Sequence, residues 1–193
     1  MRTALYLAGT ALLAFPTLAF AQESVPAALP ASHWALALSL LGAAIATALP
    51  CWGSSIGVST VGQAGSGLLT EKPELAGKVI TLSVLPGSQG LYGMVISLLF
   101  LFSFGTAIFK GDVTLSLADG LALFAAFLPV TIACLTSAPY QAKVCAAGMH
   151  MLAKDGALAG RVITLAALVE TYALLGFLIS FFMLNTLKDS ILQ

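Results

Sequence analysis

Three long stretches of this chain carry no Asp, Glu, Lys or Arg: Ser24 to Thr70, the residues between Lys78 and Lys110, and those between Asp119 and Lys143. About 20 apolar residues suffice for a helix to cross roughly 30 Å of hydrocarbon. The chain of 193 residues is 59% hydrophobic and 8% charged, with a mean hydropathy of +1.01, far outside the range of an ordinary soluble domain. Four membrane-length segments follow residue 30, near 34–69, 76–109, 118–152 and 158–187. They show no alternation of period two and are much longer than barrel strands. The expected fold is an all-α membrane protein.

The segments form two copies of one unit. AGKVITL at 76–82 returns as AGRVITL at 159–165, an offset of 83 residues. At the same offset Ala64 and Gly65 match Ala147 and Gly148, Leu69 matches Leu152, and Leu85 matches Leu168. Gly93 likewise matches Gly176, and Ile96 and Ser97 match Ile179 and Ser180. The reading is two tandem helical hairpins, residues 34–109 and 118–187, with polar loops TEKPEL (70–75) and AKDGAL (153–158) and a linker at 110–120. Two crossings per copy give both hairpins one orientation, so the repeat is parallel and both loops face the same side.

Basic residues set that side. Lys72, Lys78, Lys143, Lys154 and Arg161 are assigned to the loop side, against Lys110 and Lys188 opposite, which makes the loops cytoplasmic. Lys143 lies some way from its loop. The first residues, MRTALYLAGTALLAFPTLAFAQE, combine Arg2, an apolar run and Ala19-Phe20-Ala21, the pattern of a signal peptide (1–21) cleaved after Ala21. The competing reading is an uncleaved fifth helix. Cleavage would place the mature N-terminus outside, in agreement with the charge count.

Cys51, Cys134 and Cys145 are odd in number and lack CxxC spacing, so they suggest buried small apolar residues in place of a disulfide or zinc site. His33 and His150 have no partner at ligand spacing and are expected in loops or at the interface. In the first helix Gly53, Gly57 and Gly65, like Ser55, Ser59 and Gly67, recur at four and eight residues, which predicts close helix packing. Equal numbers of acidic and basic residues point to no nucleic acid or other polyanion.

Glu170 is the only acid between Val162 and Leu187. It lies within roughly 7 Å of the middle of that span at about 1.5 Å per residue. An ionised carboxylate at such a depth costs a few kcal/mol, so it must be protonated, paired or facing a cavity, and it is a functional candidate unless it serves only as interhelical glue. Its equivalent in the first copy is Gly87, which weakens the case for shared packing. In LPGSQGLYG, Leu85, Ser88, Gln89 and Tyr92 fall on one helical face at i, i+3, i+4 and i+7. Pro86 disturbs the carbonyls of the turn before it, and Gln141 lies on the third helix beside the fourth. One carboxylate among neutral oxygens suits reversible loading of one monovalent cation or a proton.

LPGSQGLYG, YQAKVCAAGM and VETYALLGF together resemble the proteolipid of V-type and A-type rotary ATPases, their K or c subunit, over residues 34–187. The resemblance implies a rotor ring of identical subunits in lipid, turning against a stator membrane subunit. It also implies a central-stalk subunit at the cytoplasmic loops and an inner-membrane location. Glu170 takes the place of the family's ion-binding carboxylate. Gln89, Gln141, the Ser88 hydroxyl and the Leu85 carbonyl take the places of the ligands of sodium-binding members, and Tyr92 that of the residue steadying the acid. Serine replaces threonine at 88 and keeps the hydroxyl. Na+ is favoured, with H+ the alternative. No phosphate-binding loop occurs, so ATP chemistry is expected in partner subunits and no cofactor is implied. A passive channel or small transporter built from the same four helices would need polar groups along a continuous path. A purely structural membrane protein would leave Glu170, Gln89 and Gln141 without a use.

Overall fold

The computed structural model describes residues 31–110 and 113–192. The expected signal segment, residues 1–21, lies outside them. Among the described residues, four helical spans are long and apolar enough to cross a membrane. We label them α1 (Ala31–Glu71), α2 (the composite span Pro73–Lys110), α3 (Leu117–Lys154) and α4 (Ala159–Ile191).

The hairpin turns are tighter than the six-residue polar loops expected. Lys72 is non-helical, at φ −134° and ψ 71°, because Pro73 disfavours the α conformation in the residue before it. The chain re-enters through a 3-10 turn at Pro73–Leu75. Asp155, at φ −152° and ψ 117°, breaks the second hairpin, and a 3-10 turn at Gly156–Leu158 follows. Asp155 accepts a hydrogen bond from the Ala157 amide at 2.8 Å, and Lys72 Nζ donates to the Ala153 carbonyl at the open end of α3. Lys72 and Asp155, and the two 3-10 turns, stand at the same 83-residue offset. The start of α3 is fixed by a capping box in which Ser116 and Asp119 each accept from the other's amide.

α2 is interrupted twice. Pro86 has no amide to give to the preceding turn, and Leu85–Gly87 tightens into 3-10 geometry, with the Ser88 amide bonded to the Leu85 carbonyl. Further along, Leu101–Gly105 forms a π-helical turn.

The repeat persists in the contacts. Gly93 faces the Ala46 carbonyl and Pro50, and Gly176 faces Pro129 and Ala133, the equivalents of those two residues. Gly65 faces Val79, and Gly148 faces the equivalent Val162. In each case a Cβ would meet the opposing atoms, so glycine is what lets the paired helices of each hairpin close. Ser97 and Ser180 each accept from an equivalent residue of the facing helix: Ser97 Oγ from the Thr47 hydroxyl at 2.8 Å, and Ser180 Oγ from the Val130 amide at 3.0 Å.

Small residues of α1 divide by face. A Cβ at Gly53 would stand 2.7 Å from the Leu135 carbonyl oxygen, and one at Gly57 2.6 Å from Pro86 Cβ. Gly53, Gly57 and Gly65 therefore pack as expected. Ser55, Ser59 and Gly67 do not: both serines are exposed and bond to their own helix, and a Cβ at Gly67 would meet no atom of a neighbouring helix within 4 Å. Cys134 and Cys145 are fully buried, whereas Cys51 is exposed, contrary to expectation, because it lies on the α1 face that the second hairpin leaves open. His33 and His150 are exposed. Lys143 is exposed with Nζ 4.7 Å from the Tyr140 ring. It stands 11 residues before the end of α3 at Lys154, about 16 Å along the helix, so it belongs to the span and carries little weight in the charge count.

Buried apolar residues form two clusters. One includes Ile96, Phe100, Phe127 and Cys134; the other, towards the hairpin turns, includes Val61, Leu82, Cys145 and Val162. Between them lies a polar layer.

Candidate ion-binding site

The polar layer is where α2, α3 and α4 meet at one depth. Gln89 and Gln141 are both 0% exposed, while Ser88, Tyr92 and Glu170 are half-buried. Two amide side chains wholly removed from solvent must bond to one another or to the backbone, since an unmet amide costs about 1–3 kcal/mol. Here they do both. Gln89 Nε2 donates to Gln141 Oε1 at 2.7 Å, and Gln141 Nε2 donates to the Ala166 carbonyl at 3.1 Å.

Glu170 reaches across from α4. Its Oε1 accepts from Tyr92 Oη at 2.6 Å and lies 2.7 Å from Ser88 Oγ, and its Oε2 lies 3.4 Å from Gln141 Nε2. The first two distances are in the range of hydrogen bonds to a charged acceptor. Among the described residues, the hydrogen bonds to Glu170 come from three uncharged side chains. The Tyr92 ring is held in turn by Phe177, with centroids 5.7 Å apart.

Ser88 is the hub. Its hydroxyl oxygen lies 2.9 Å from the Leu85 carbonyl, 3.4 Å from Gln89 Oε1 and 2.7 Å from Glu170 Oε1. A hydroxyl has one proton and can donate to only one of these at a time. The local break at Pro86 sets this up, because it turns the Leu85 carbonyl into a 3-10 acceptor beside the Ser88 side chain. The repeat equivalents of Glu170 and Gln141 are Gly87 and Val58, which bring no side-chain oxygen.

All six residues singled out in the sequence, Leu85, Ser88, Gln89, Tyr92, Gln141 and Glu170, are thus brought to one place, linked by hydrogen bonds. Two further groups were not anticipated. The Ala166 carbonyl, one turn before Glu170, orients Gln141, and the Ser54 hydroxyl accepts from the Gly90 amide at 2.8 Å, securing the turn after Gln89. The i−4 position of Ala166 could have signalled the first; nothing in the sequence marks the second. An open groove of about 640 Å3, lined by Thr81, Val84, Leu85, Ser88, Leu91 and Glu170 among others, leads from the outer surface to the carboxylate. Among the described residues no three His, Cys, Asp or Glu side chains converge as a polydentate metal site. The arrangement offers one charge and several neutral oxygens, a set suited to a monovalent cation or a proton.

The profile of the ATP synthase C-subunit family matches this chain twice, over residues 41–100 and 124–183, so the two matches begin at the same 83-residue offset as the repeat. The V-type sodium ATPase subunit K of Enterococcus hirae is 41% identical over 146 residues, covering 76% of this chain and 89% of that protein. The A-type ATP synthase subunit K of Methanocaldococcus jannaschii is 34% identical over 149 residues, 77% of this chain and 62% of the longer relative. A doubled profile match, a doubled fold and relatives of this identity lead to one conclusion: the chain belongs to the ATP synthase C-subunit family, as a V/A-type proteolipid.

Proposed function

We propose that the chain is the membrane rotor subunit of a V/A-type ATPase and carries Na+ by reversible loading of Glu170. The observation that carries this reading is the Ser88 hub, which gathers a carboxylate, an amide oxygen and a backbone carbonyl around one hydroxyl. The sodium named for the Enterococcus hirae relative supports the choice of ion. Sodium neutralises the carboxylate, so the loaded site can face lipid; unloading restores the charge and requires a polar or positively charged surface on a stator. Identical subunits form the ring, the loops at Lys72 and Asp155 face the cytoplasm and a central stalk, and ATP hydrolysis or synthesis occurs in partner subunits.

The second reading is a proton on Glu170. It is favoured by the bond from Gln89 Nε2 to Gln141 Oε1, which satisfies both amides without any metal. Gln141 Oε1 keeps a second lone pair beside that bond, which is the direction left for a sodium ion. With one acid for four spans, each hairpin carries half an ion on average, a ratio that favours pumping against a steep gradient over synthesis. ATP synthesis at an ordinary ion gradient in reconstituted vesicles would count against that bias.

Labelling of Glu170 by a carboxylate-reactive carbodiimide in the solubilised assembly tests the ion. The sodium reading expects protection by Na+ and not by K+. Labelling that responds only to pH would establish the proton reading and reduce Gln89 and Gln141 to packing roles.

A further inference from the structure

Cys51 and Ser54 of α1 have Cys134 and Ser137 of α3 as their repeat equivalents, so the same Cys-x-x-Ser pair stands in both copies. Both serines are buried, at 7% and 5% exposure. They bond differently. Ser54 Oγ accepts from the Gly90 amide on α2 at 2.8 Å. Ser137 Oγ turns back to its own helix and lies 3.5 Å from the Cys134 carbonyl. One residue of the repeat thus crosses a helix seam in the first copy and stays on its helix in the second.

The residue opposite accounts for the difference. Gly90 corresponds to Ala173, which is fully buried. A Cβ at Gly90 would stand 3.3 Å from Cys51 Cα, from Cys51 Sγ and from Ser54 Oγ, so the bare glycine backbone is what lets α1 come this close. Cys51 Sγ lies 3.9 Å from the Gly90 carbonyl, and both backbone polar groups of Gly90 therefore meet α1. In the second copy an alanine methyl takes up that approach.

The break at Pro86 explains why the Gly90 amide has use for an outside partner. After the 3-10 turn at Leu85–Gly87, the α-helix restarts at Ser88 with Gly87 at its N-cap. An N-cap side chain accepts from the amide of the second or third helical residue. Gly87 has no side chain, and its backbone is helical at φ −81° and ψ −22°. Gly90 is the third residue of the restarted helix, and Ser54 supplies from α1 the oxygen that an N-cap side chain would have supplied. The second copy has Val169 in place of Pro86, and α4 runs without a break from Ala159 to Ile191.

We propose that Ser54 is a positioning residue of the Glu170 site: capping the restarted helix from its neighbour, it fixes the turn from which Ser88 reaches Glu170 and Gln89 reaches Gln141. It acts through the backbone of that turn, since the hydrogen bonds to Glu170 come from Ser88, Tyr92 and Gln141. The effect on ion binding rests on the sodium reading of Glu170, whereas the effect on the turn rests on the hydrogen bond alone.

Three variants test the role in the purified assembly. Ser54→Ala removes the acceptor, Gly90→Ala gives the first copy the alanine of the second, and Ser137→Ala makes the same deletion where no bond crosses the seam. Deuterium uptake by residues 85–92 should rise in Ser54→Ala and Gly90→Ala and match the native protein in Ser137→Ala. The Na+ concentration that half-protects Glu170 from the carbodiimide should rise about threefold to tenfold in the first two, at most the worth of one neutral hydrogen bond, and keep its native value in Ser137→Ala. Unchanged uptake at 85–92 in Ser54→Ala, an unmoved Na+ midpoint, or an equal shift in Ser137→Ala would overturn the positioning role. A native protein that Na+ does not protect would refute the sodium reading, and deuterium uptake then decides the positioning role by itself. Should Ser54→Ala fail to accumulate, Gly90→Ala is read in its place.

Discussion

Replacing Tyr92 by Phe isolates one term in the binding of the ion. The substitution removes only the hydroxyl that donates to Glu170 Oε1 at 2.6 Å and leaves the ring against Phe177. A hydrogen bond to a charged group contributes about 1.5–3 kcal/mol net. Tyr92 is half-buried, and Ser88 Oγ still lies 2.7 Å from the same oxygen, so the lower end applies. A loss of about 1.4 kcal/mol corresponds to a tenfold weaker equilibrium. Titrating Na+ protection of Glu170 against the carbodiimide should therefore show a midpoint roughly tenfold higher in Tyr92→Phe, with the maximum protection unchanged. An unchanged midpoint would mean that Tyr92 does not steady the carboxylate in the loaded state, and complete loss of protection would mean that it acts as more than a steadying donor.

Other perturbations separate packing from binding. Gln141→Leu leaves the buried Gln89 amide without its acceptor and should destabilise the solubilised protein by about 1–3 kcal/mol, whereas Gln89→Leu with Gln141→Leu should recover much of that in a thermal melt while Na+ protection stays lost. Gly93→Ala forces a methyl onto the Ala46 carbonyl and Pro50 and should lower stability by about 1–2 kcal/mol after the gain in helix propensity, read by the same melt. Gly160→Ala, with nothing within 4 Å, should be neutral or slightly stabilising. Glu74→Cys, exposed in the first hairpin turn, should react with a membrane-impermeant maleimide from the cytoplasmic face only; reaction from the other face would reverse the assigned orientation.

Much of this fold is legible in the chain because membrane helices are set by long-range composition and the repeat is ungapped. The offset that aligns AGKVITL with AGRVITL also aligns the breaks at Lys72 and Asp155 and the glycine contacts at Gly93 and Gly176. Glu170 stands out because a carboxylate in an apolar run has no inexpensive structural excuse, and the face shared by Leu85, Ser88, Gln89 and Tyr92 follows from helical spacing. Spacing on one helix says nothing about which side chain meets which across a seam. That Gln89 bonds to Gln141 while Ser88 and Tyr92 meet Glu170 depends on how α2 and α4 rotate against α3. The exposure of Cys51, Ser55 and Ser59 was hidden for the same reason: composition marks α1 as closely packing but cannot say which of two small-residue stripes finds a partner inside the chain. The π-helical turn at Leu101–Gly105 has no proline to announce it.

The central claim is that Glu170 holds one transported sodium ion per chain, and it is tested most directly by measuring 22Na+ bound to the purified assembly at equilibrium. The account predicts saturation at one Na+ per chain in the native protein and no saturable binding in Glu170→Gln. Saturable Na+ retained by Glu170→Gln, or none bound by the native assembly at any concentration, would contradict it.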